Sequence, residues 1–324
     1  MLVLTNFERF PEHWMSASGL RGEARMLRTA WEFLRHSRAA DLIIINCDVV
    51  LAMKLCALYM LFPFLRRPIL GHDIVLHPPH GLSGKFTTPV KRFLLGRIPH
   101  FTHHFRILDG YQKYFGIGPD RSSYLPSKPN IRYRYKYRVD PEGEYVLCFG
   151  RSERDYDTFI RAIAQVPYPA VIPPPDFEQF RKHHTIFTVP LSDLPPNLRV
   201  IEDDGSTESL IRIIEGARLV VLPIRGSRIS PSGIGTYLNA MLMGKCVITT
   251  NGPATSDVMT DECIMVPPED PDALAKAIRR VWENPDLRRR TAEAGRLYSE
   301  SCGGEPELRQ RVLDRALEKL YRPK

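Results

Sequence analysis

At 324 residues, 43% of them hydrophobic and 25% charged, the chain is long enough for two domains and apolar enough to bury their cores, which excludes a disordered or fibrous protein. Its net charge of +8 favours anionic partners, a description that nucleotide phosphates, lipid headgroups and nucleic acid all meet. The six cysteines lack a paired short spacing, which argues for free thiols, and Cys47, Cys148, Cys246 and Cys263 fall in apolar runs that would bury them.

The chain opens on a short apolar run, 1–4, read as a buried strand. It lacks the basic start and longer apolar stretch of an export signal, which predicts the cytoplasm. Further strands are read at 42–46 and 69–71, and helices at 22–36, 49–62 and 87–96. The apolar run 49–65 contains Lys54 and Pro63 and is barely long enough to span a bilayer, so it reads as a buried helix. The strand at 69–71 leads into His72 and Asp73, and a histidine at a strand end can donate to a bound hydroxyl or move a proton. His77, His80, His100, His103 and His104 follow. The adjacent pair would point to opposite faces of a strand and no closing Cys/His spacing appears, so no metal site is read there. Lys91-Arg92-Phe93-Leu94-Leu95-Gly96-Arg97, together with the 49–65 run, suggests an affinity for an anionic membrane surface.

Prolines at 126, 129 and 141 mark a boundary. Domains are placed at 1–140 and 141–302, with 303–324 a helix after Gly303-Gly304 that is long enough to pack back on the first domain. Within the boundary, Arg132-Tyr133-Arg134-Tyr135-Lys136-Tyr137-Arg138 alternates basic and aromatic residues. An extended linker with its tyrosines on one face fits that period, and contact with an anionic acceptor, a lipid or nucleic acid is the alternative. Beyond it, β-branched runs at 145–150, 219–223, 246–250 and 263–266 are each followed by a turn and a helical stretch, the pattern of a parallel sheet covered by helices.

Four features of this second half suit the holding of a diphosphate. Gly150-Arg151-Ser152-Glu153-Arg154-Asp155 is a strand end with two arginines, whose guanidinium groups can pair with phosphate oxygens, and Asp155 or Asp157 would cap the helix beginning at Thr158. Ser230-Pro231-Ser232-Gly233-Ile234-Gly235-Thr236 precedes a helix, where backbone N–H groups and the helix end attract an anion. Residues 244–252 bring Asn251 to Thr255 to the same sheet edge. Pro267 to Asp272 is ordinary helix-start chemistry. Asp155-Tyr156-Asp157 spells a D-x-D that elsewhere carries a divalent ion, but at a helix start it reads as capping, and no metal is predicted.

Taken together, these residues resemble the family 4 retaining glycosyltransferases of the GT-B fold. Gly233-Ile234-Gly235 and Leu238 to Ile248 look like that family's glycine loop, helix and strand, and Val266 to Ile278 is similar to its closing segment. Ser18 to Arg25 resembles the first-domain glycine turn, and His72 the strand-end histidine. The resemblance implies an α/β fold with two doubly wound Rossmann-like domains facing a cleft, the first of them shortened, and a C-terminal helix crossing back to the first domain. It implies transfer of a sugar, with retention, from a UDP- or GDP-sugar to a glycan, lipid-linked or small-molecule acceptor. No metal, no further cofactor and no nucleic-acid partner are expected. His72 and Arg154 take catalytic roles, and Gly150, Arg151, Arg154, Ser232, Gly233, Ile234, Gly235, Thr236 and Asn239 bind the donor. The chain would be cytoplasmic and peripheral on the inner face of the membrane. The family carries a glutamate where this chain has Asn239, and another about eight residues earlier, where it has Pro231 or Ser232. A nucleotide-sugar epimerase on the same fold is the second enzyme reading, one that needs carboxylates for proton abstraction, in which these loops are poor. A non-catalytic sugar-nucleotide-binding partner of an assembly complex is the reading that Asn239 favours.

Overall fold

A computed structural model describes residues 1–226 and 229–321, so the last three residues of the predicted 303–324 segment lie outside the described residues. The chain forms two compact units. One comprises Met1–Pro126 with the segment from Pro306 onward, and the other Ser127–Glu305.

The first unit runs β1 (Leu2–Thr5), β2 (His13–Met15), β3 (Arg21–Met26), α1 (Ala30–His36), β4 (Leu42–Asn46), α2 (Val49–Leu61), β5 (Ile69–His72), α3 (Gly81–Leu95), β6 (His100–His103), α4 (Asp109–Phe115) and β7 (Ser122–Tyr124). Its seven strands lie in the order β2-β3-β1-β4-β5-β6-β7, all parallel except β2 against β3. The helix read over 22–36 is therefore corrected. Residues 21–26 are strand β3, and α1 starts only after Thr29, which closes a capping box with Glu32. Strand β3 is polar and mostly exposed, so it lacks the apolar run that betrays a buried strand. The segment 18–25, likened to the first-domain glycine turn, is the turn and second strand of a hairpin. Gly22 is required there because a Cβ would fall 2.4 Å from the Trp14 ring and from the Met1 carbonyl. Cys47, expected to be buried, is exposed at φ 55°, just past the end of β4; the other five cysteines are buried. Helix α11 (Glu305–Leu320) sets Leu308, Val312, Leu313, Ala316 and Leu317 against Val3, Phe7, Trp14 and Leu42 of this unit.

The second unit continues β8 (Tyr145–Cys148), α5 (Tyr156–Ile163), β9 (Ala170–Ile172), α6 (Phe177–Lys182), β10 (Leu198–Val200), α7 (Thr207–Glu215), β11 (Ala217–Leu222), α8 (Ile234–Leu242), β12 (Cys246–Thr250), β13 (Ile264–Val266), α9 (Pro271–Glu283) and α10 (Pro285–Ser301). Its six-stranded sheet, β10-β9-β8-β11-β12-β13, is wholly parallel, and its central strands are apolar on both faces, as a sheet covered on both sides demands. Both units are thus Rossmann-like α/β sandwiches. The strip 132–138 belongs to the second unit, and its first half is not extended. Residues 131–135 form a turn with Tyr133 at φ 65°, and only Tyr135 and Tyr137 lean on the core, beside Ile131. Among the described residues no helix is long and apolar enough to cross a membrane.

Candidate functional site

In the second unit the loops that follow β8 and β11 meet around one side chain. After β8 the chain turns at Gly150, φ 114°, and Arg154 folds back under the loop, 1% exposed. Its Nε donates to the Phe149 carbonyl at 3.1 Å. Nη1 donates to the Ser152 carbonyl at 2.9 Å and to Ser232 Oγ at 3.3 Å, and Nη2 to Thr236 Oγ1 at 3.2 Å. Ser232 Oγ in turn donates to the Ser152 carbonyl at 2.6 Å. The two glycines singled out from the sequence make room for this guanidinium. A Cβ on Gly150 would stand 2.5 Å from Nη2, and one on Gly233 2.9 Å from it, and both residues hold positive φ. Every partner of Arg154 is a carbonyl or a hydroxyl, and among the described residues no carboxylate pairs with it. Burial draws its pKa down from the ordinary arginine value, yet a guanidinium remains charged. The loop therefore holds a buried cation without a counter-charge of its own, a costly arrangement that an anion would relieve.

That cation sits beside the start of α8. Gly233 is the N-cap, in the left-handed region at φ 78°, and no side chain caps the helix. Helices α5, α6, α7, α9 and α10 of the same unit are each capped by a side chain, from Asp155, Asp176, Ser206, Asp270 and Asn284. The first-turn N–H groups of α8, from Ile234 to Thr236, thus lack the side-chain acceptor its neighbours have, and the helix end adds partial positive charge.

The remaining predicted residues divide. Arg151 projects from the same loop and is exposed. Asn239 is buried in α8, and its Oδ1 accepts from the backbone N–H of Asn130 at 2.7 Å and of Ile131 at 3.4 Å. This brings Lys128 and Asn130 to the start of α8, two residues that sequence reasoning left in the linker. Lys128 Nζ donates to Asn130 Oδ1 at 2.8 Å and pairs with Glu305 at 2.7 Å, while the Asn130 amide lies where a Cβ on Gly235 would stand, 2.5 Å away. The Pro-punctuated polar run Lys128-Pro129-Asn130 was the available signal. Both carboxylates of the D-x-D spelling have protein partners. Asp155 accepts from Thr158 N–H and Oγ1, and Asp157 from Thr188 N–H and hydroxyl. The loop after β12 is tied down by Thr255 Oγ1, which donates to the Gly252 carbonyl at 2.8 Å, and by the Tyr237 hydroxyl, which donates to the Ala254 carbonyl at 2.7 Å.

In the first unit His72 ends β5, 1% exposed. Its Nδ1 lies 2.9 Å from Thr102 Oγ1, and its ring stacks on Phe7 and meets His104 edge-on. Burial, with His104, His103 and Arg311 adding to it, holds its pKa well below the usual histidine value, so at neutral pH it is an uncharged imidazole. His104 Nε2 is 3.9 Å from Asp73 Oδ2 and its Nδ1 lies 2.9 Å from the Leu125 carbonyl. His103 turns the other way, among Phe101, Phe105 and Tyr111.

Residues 143–284 match the family model of the glycosyl transferases group 1. That stretch covers the Arg154 loop, the whole of α8 and the loop after β12. Across the chain the fold is that of GT-B glycosyltransferases. The HepE protein of Anabaena in complex with UDP superposes with a TM-score of 0.66 at 15% identity, over 90% of this chain and 85% of that one. Sucrose-phosphate synthase from Thermosynechococcus elongatus gives 0.66 at 17% identity, over 98% and 88%. The UDP-forming α,α-trehalose-phosphate synthase from Burkholderia xenovorans, in complex with glucose-6-phosphate, gives 0.58 at 11% identity, over 90% and 76%. No curated protein sequence matches the chain.

Proposed function

We propose that this chain is a glycosyltransferase that moves a sugar, with retention, from a UDP- or GDP-sugar to a glycan or lipid-linked acceptor, without a metal ion. The observation that carries this reading is the buried, uncompensated guanidinium of Arg154 beside the uncapped start of α8, inside the stretch that matches the group 1 glycosyl transferases. The complex of HepE with UDP and the UDP-forming synthase, which share this fold, support a uridine donor. As the glycosidic bond breaks, negative charge grows on the leaving diphosphate. A fixed cation and the first-turn N–H groups of α8 meet that charge without reorganising, and preorganised donors of this kind contribute about 2–4 kcal/mol each to the barrier. Arg151, exposed on the same loop, closes on the outer oxygens. The arginines and the helix end supply the positive charge that a divalent ion supplies elsewhere, so turnover should survive EDTA. His72, neutral and buried at its strand end, donates to or accepts from a sugar hydroxyl and does not act as a cation. The net charge of +8 supports a reaction at the anionic inner face of a membrane, on the cytoplasmic side.

A second reading keeps the nucleotide site and drops the chemistry. Asn239, standing where the family has a glutamate, is engaged with the backbone of residues 130 and 131, which favours a non-catalytic sugar-nucleotide binder. One screen separates the two: thermal shift against UDP-, GDP-, ADP- and TDP-sugars, followed by assay of nucleotide release from whichever stabilises the chain. Stabilisation with release of the nucleoside diphosphate supports the enzyme. Stabilisation without release under any acceptor supports the binder, and no stabilisation by any of the four removes both.

A further inference from the structure

Helix α3 has fifteen residues and buries only one of them, Leu95. At about 100° per residue, Leu82, Phe86, Val90 and Phe93 fall within roughly 80° of arc, one apolar stripe along the helix. All four are exposed, Leu82 at 73% and Phe86 at 76%. Beside this stripe the end of α2 and the turn after it present Met60, Leu61 and Phe64, the last two at 72% and 75%. A groove of about 570 Å³ between the two helices is lined by Ala57, Met60, Leu61, Pro89, Val90 and Phe93. It continues past Met60 into a cavity of about 310 Å³ that carries Arg66 and Arg97 along with Tyr59 and Cys56. Contiguous apolar surface of this kind marks an interaction site.

The charge around the groove identifies what covers it. Between Asp48 and Asp109 the sequence holds eight lysines and arginines and a single acid, Asp73. On α3, Lys85 and Arg92 are exposed along one side of the apolar stripe, and on α2 Lys54 is exposed. Apolar side chains rimmed by unopposed cations match a surface that is anionic outside and hydrocarbon within. A second copy of the chain would set the same cations against each other across a two-fold axis. We infer that the α2–α3 face docks on an anionic lipid bilayer, with the apolar stripe entering the acyl region and Arg66 and Arg97 receiving a headgroup phosphate. This deepens the membrane-side part of the function proposed above and uses no residue of the donor site, so the two can fail separately.

The test is co-sedimentation of the full chain with vesicles of phosphatidylcholine alone and of phosphatidylcholine mixed with phosphatidylglycerol. The wild type is expected to pellet with the anionic vesicles, less so as salt rises. Two doubly substituted variants, Leu82→Ser with Phe86→Ser and Lys54→Glu with Lys85→Glu, should each pellet roughly tenfold less or weaker still. All four positions are exposed, so both variants should keep the wild-type Tm and the wild-type response to UDP. Equal pelleting on neutral and anionic vesicles, no pelleting on either, or variants that pellet like the wild type would overturn the proposal. So would a lipid-free dimer in analytical ultracentrifugation that Leu82→Ser with Phe86→Ser dissociates.

Discussion

The two units share an architecture but place polar groups in their interiors on different terms. In the second unit the buried cation Arg154 is wrapped by carbonyls and hydroxyls from two loops, and almost every helix start has a side-chain cap. In the first unit, among the described residues, the buried side chains able to carry a positive charge are histidines, and burial keeps His72, His100 and His103 neutral. A guanidinium cannot shed its proton, so its site must supply partners; an imidazole can, so its site need not. The first arrangement is built for an anion. The second is indifferent to charge at neutral pH and vulnerable to acid.

The comparison is tested most severely at Arg154. Arg154→Ala removes four hydrogen bonds, takes the Nε donor from the Phe149 carbonyl and leaves the Ser152 carbonyl with Ser232 Oγ alone, so chemical unfolding should register a loss of about 3–5 kcal/mol. Calorimetric titration of whatever remains folded should show UDP or GDP binding weakened by more than about 1.5 kcal/mol. Thr236→Val, which keeps the shape and the cation, should retain most of that affinity. Equal affinity in Arg154→Ala and wild type would separate the cation from the donor site.

Acid should act on the first unit. The folded-state pKa of His103 is drawn down to about 3 and that of His100 to about 4, while the unfolded chain takes up these protons near pH 6.5. Below pH 6.5 the unfolded state therefore binds more protons than the native one, and stability falls as pH falls until the folded values are reached. From pH 7 to 5 His103 alone accounts for about 2 kcal/mol, and His72 and His100 act in the same direction. Urea unfolding across that range should show the loss, and His103→Phe should flatten its slope. A stability independent of pH between 7 and 5 would show that these imidazoles are not held neutral.

A smaller effect is expected at Asn239. Asn239→Leu leaves the Asn130 and Ile131 N–H groups without their acceptor, at a cost of about 2 kcal/mol, and loosens Lys128 and Asn130 at the start of α8. Donor affinity should drop with stability, whereas Asn239→Asp, which keeps the acceptor, should preserve both. Full affinity in a folded Asn239→Leu would detach residues 128–130 from the donor site. Smallest is the cap. Asp155→Ala should cost about 1 kcal/mol in thermal unfolding, since among the described residues the Asp155 carboxylate accepts only from Thr158, and should leave nucleotide binding intact.

The elements whose residues agree with their surroundings were legible in the amino-acid pattern alone. The core strands β1, β4, β5, β8, β11 and β12 are apolar runs, and α5 and α9 begin at acids that do cap them, so local pattern and burial agree. The pattern also identified the loops at 150–155 and 230–236, because glycines and arginines at strand ends are rare enough to stand out. Features whose partners come from far along the chain were set by the fold instead. Polar β3 is a strand because β1 lies beside it, and Gly22 is there because the Trp14 ring crosses it. Asn239 is committed to a backbone more than a hundred residues away, and Gly150 and Gly233 are small so that Arg154 can pass beneath both. A periodicity reports which face of an element is apolar. It carries no record of which buried donor that face will meet, and hydrogen bonds between distant segments are set only when the sheet brings those segments together.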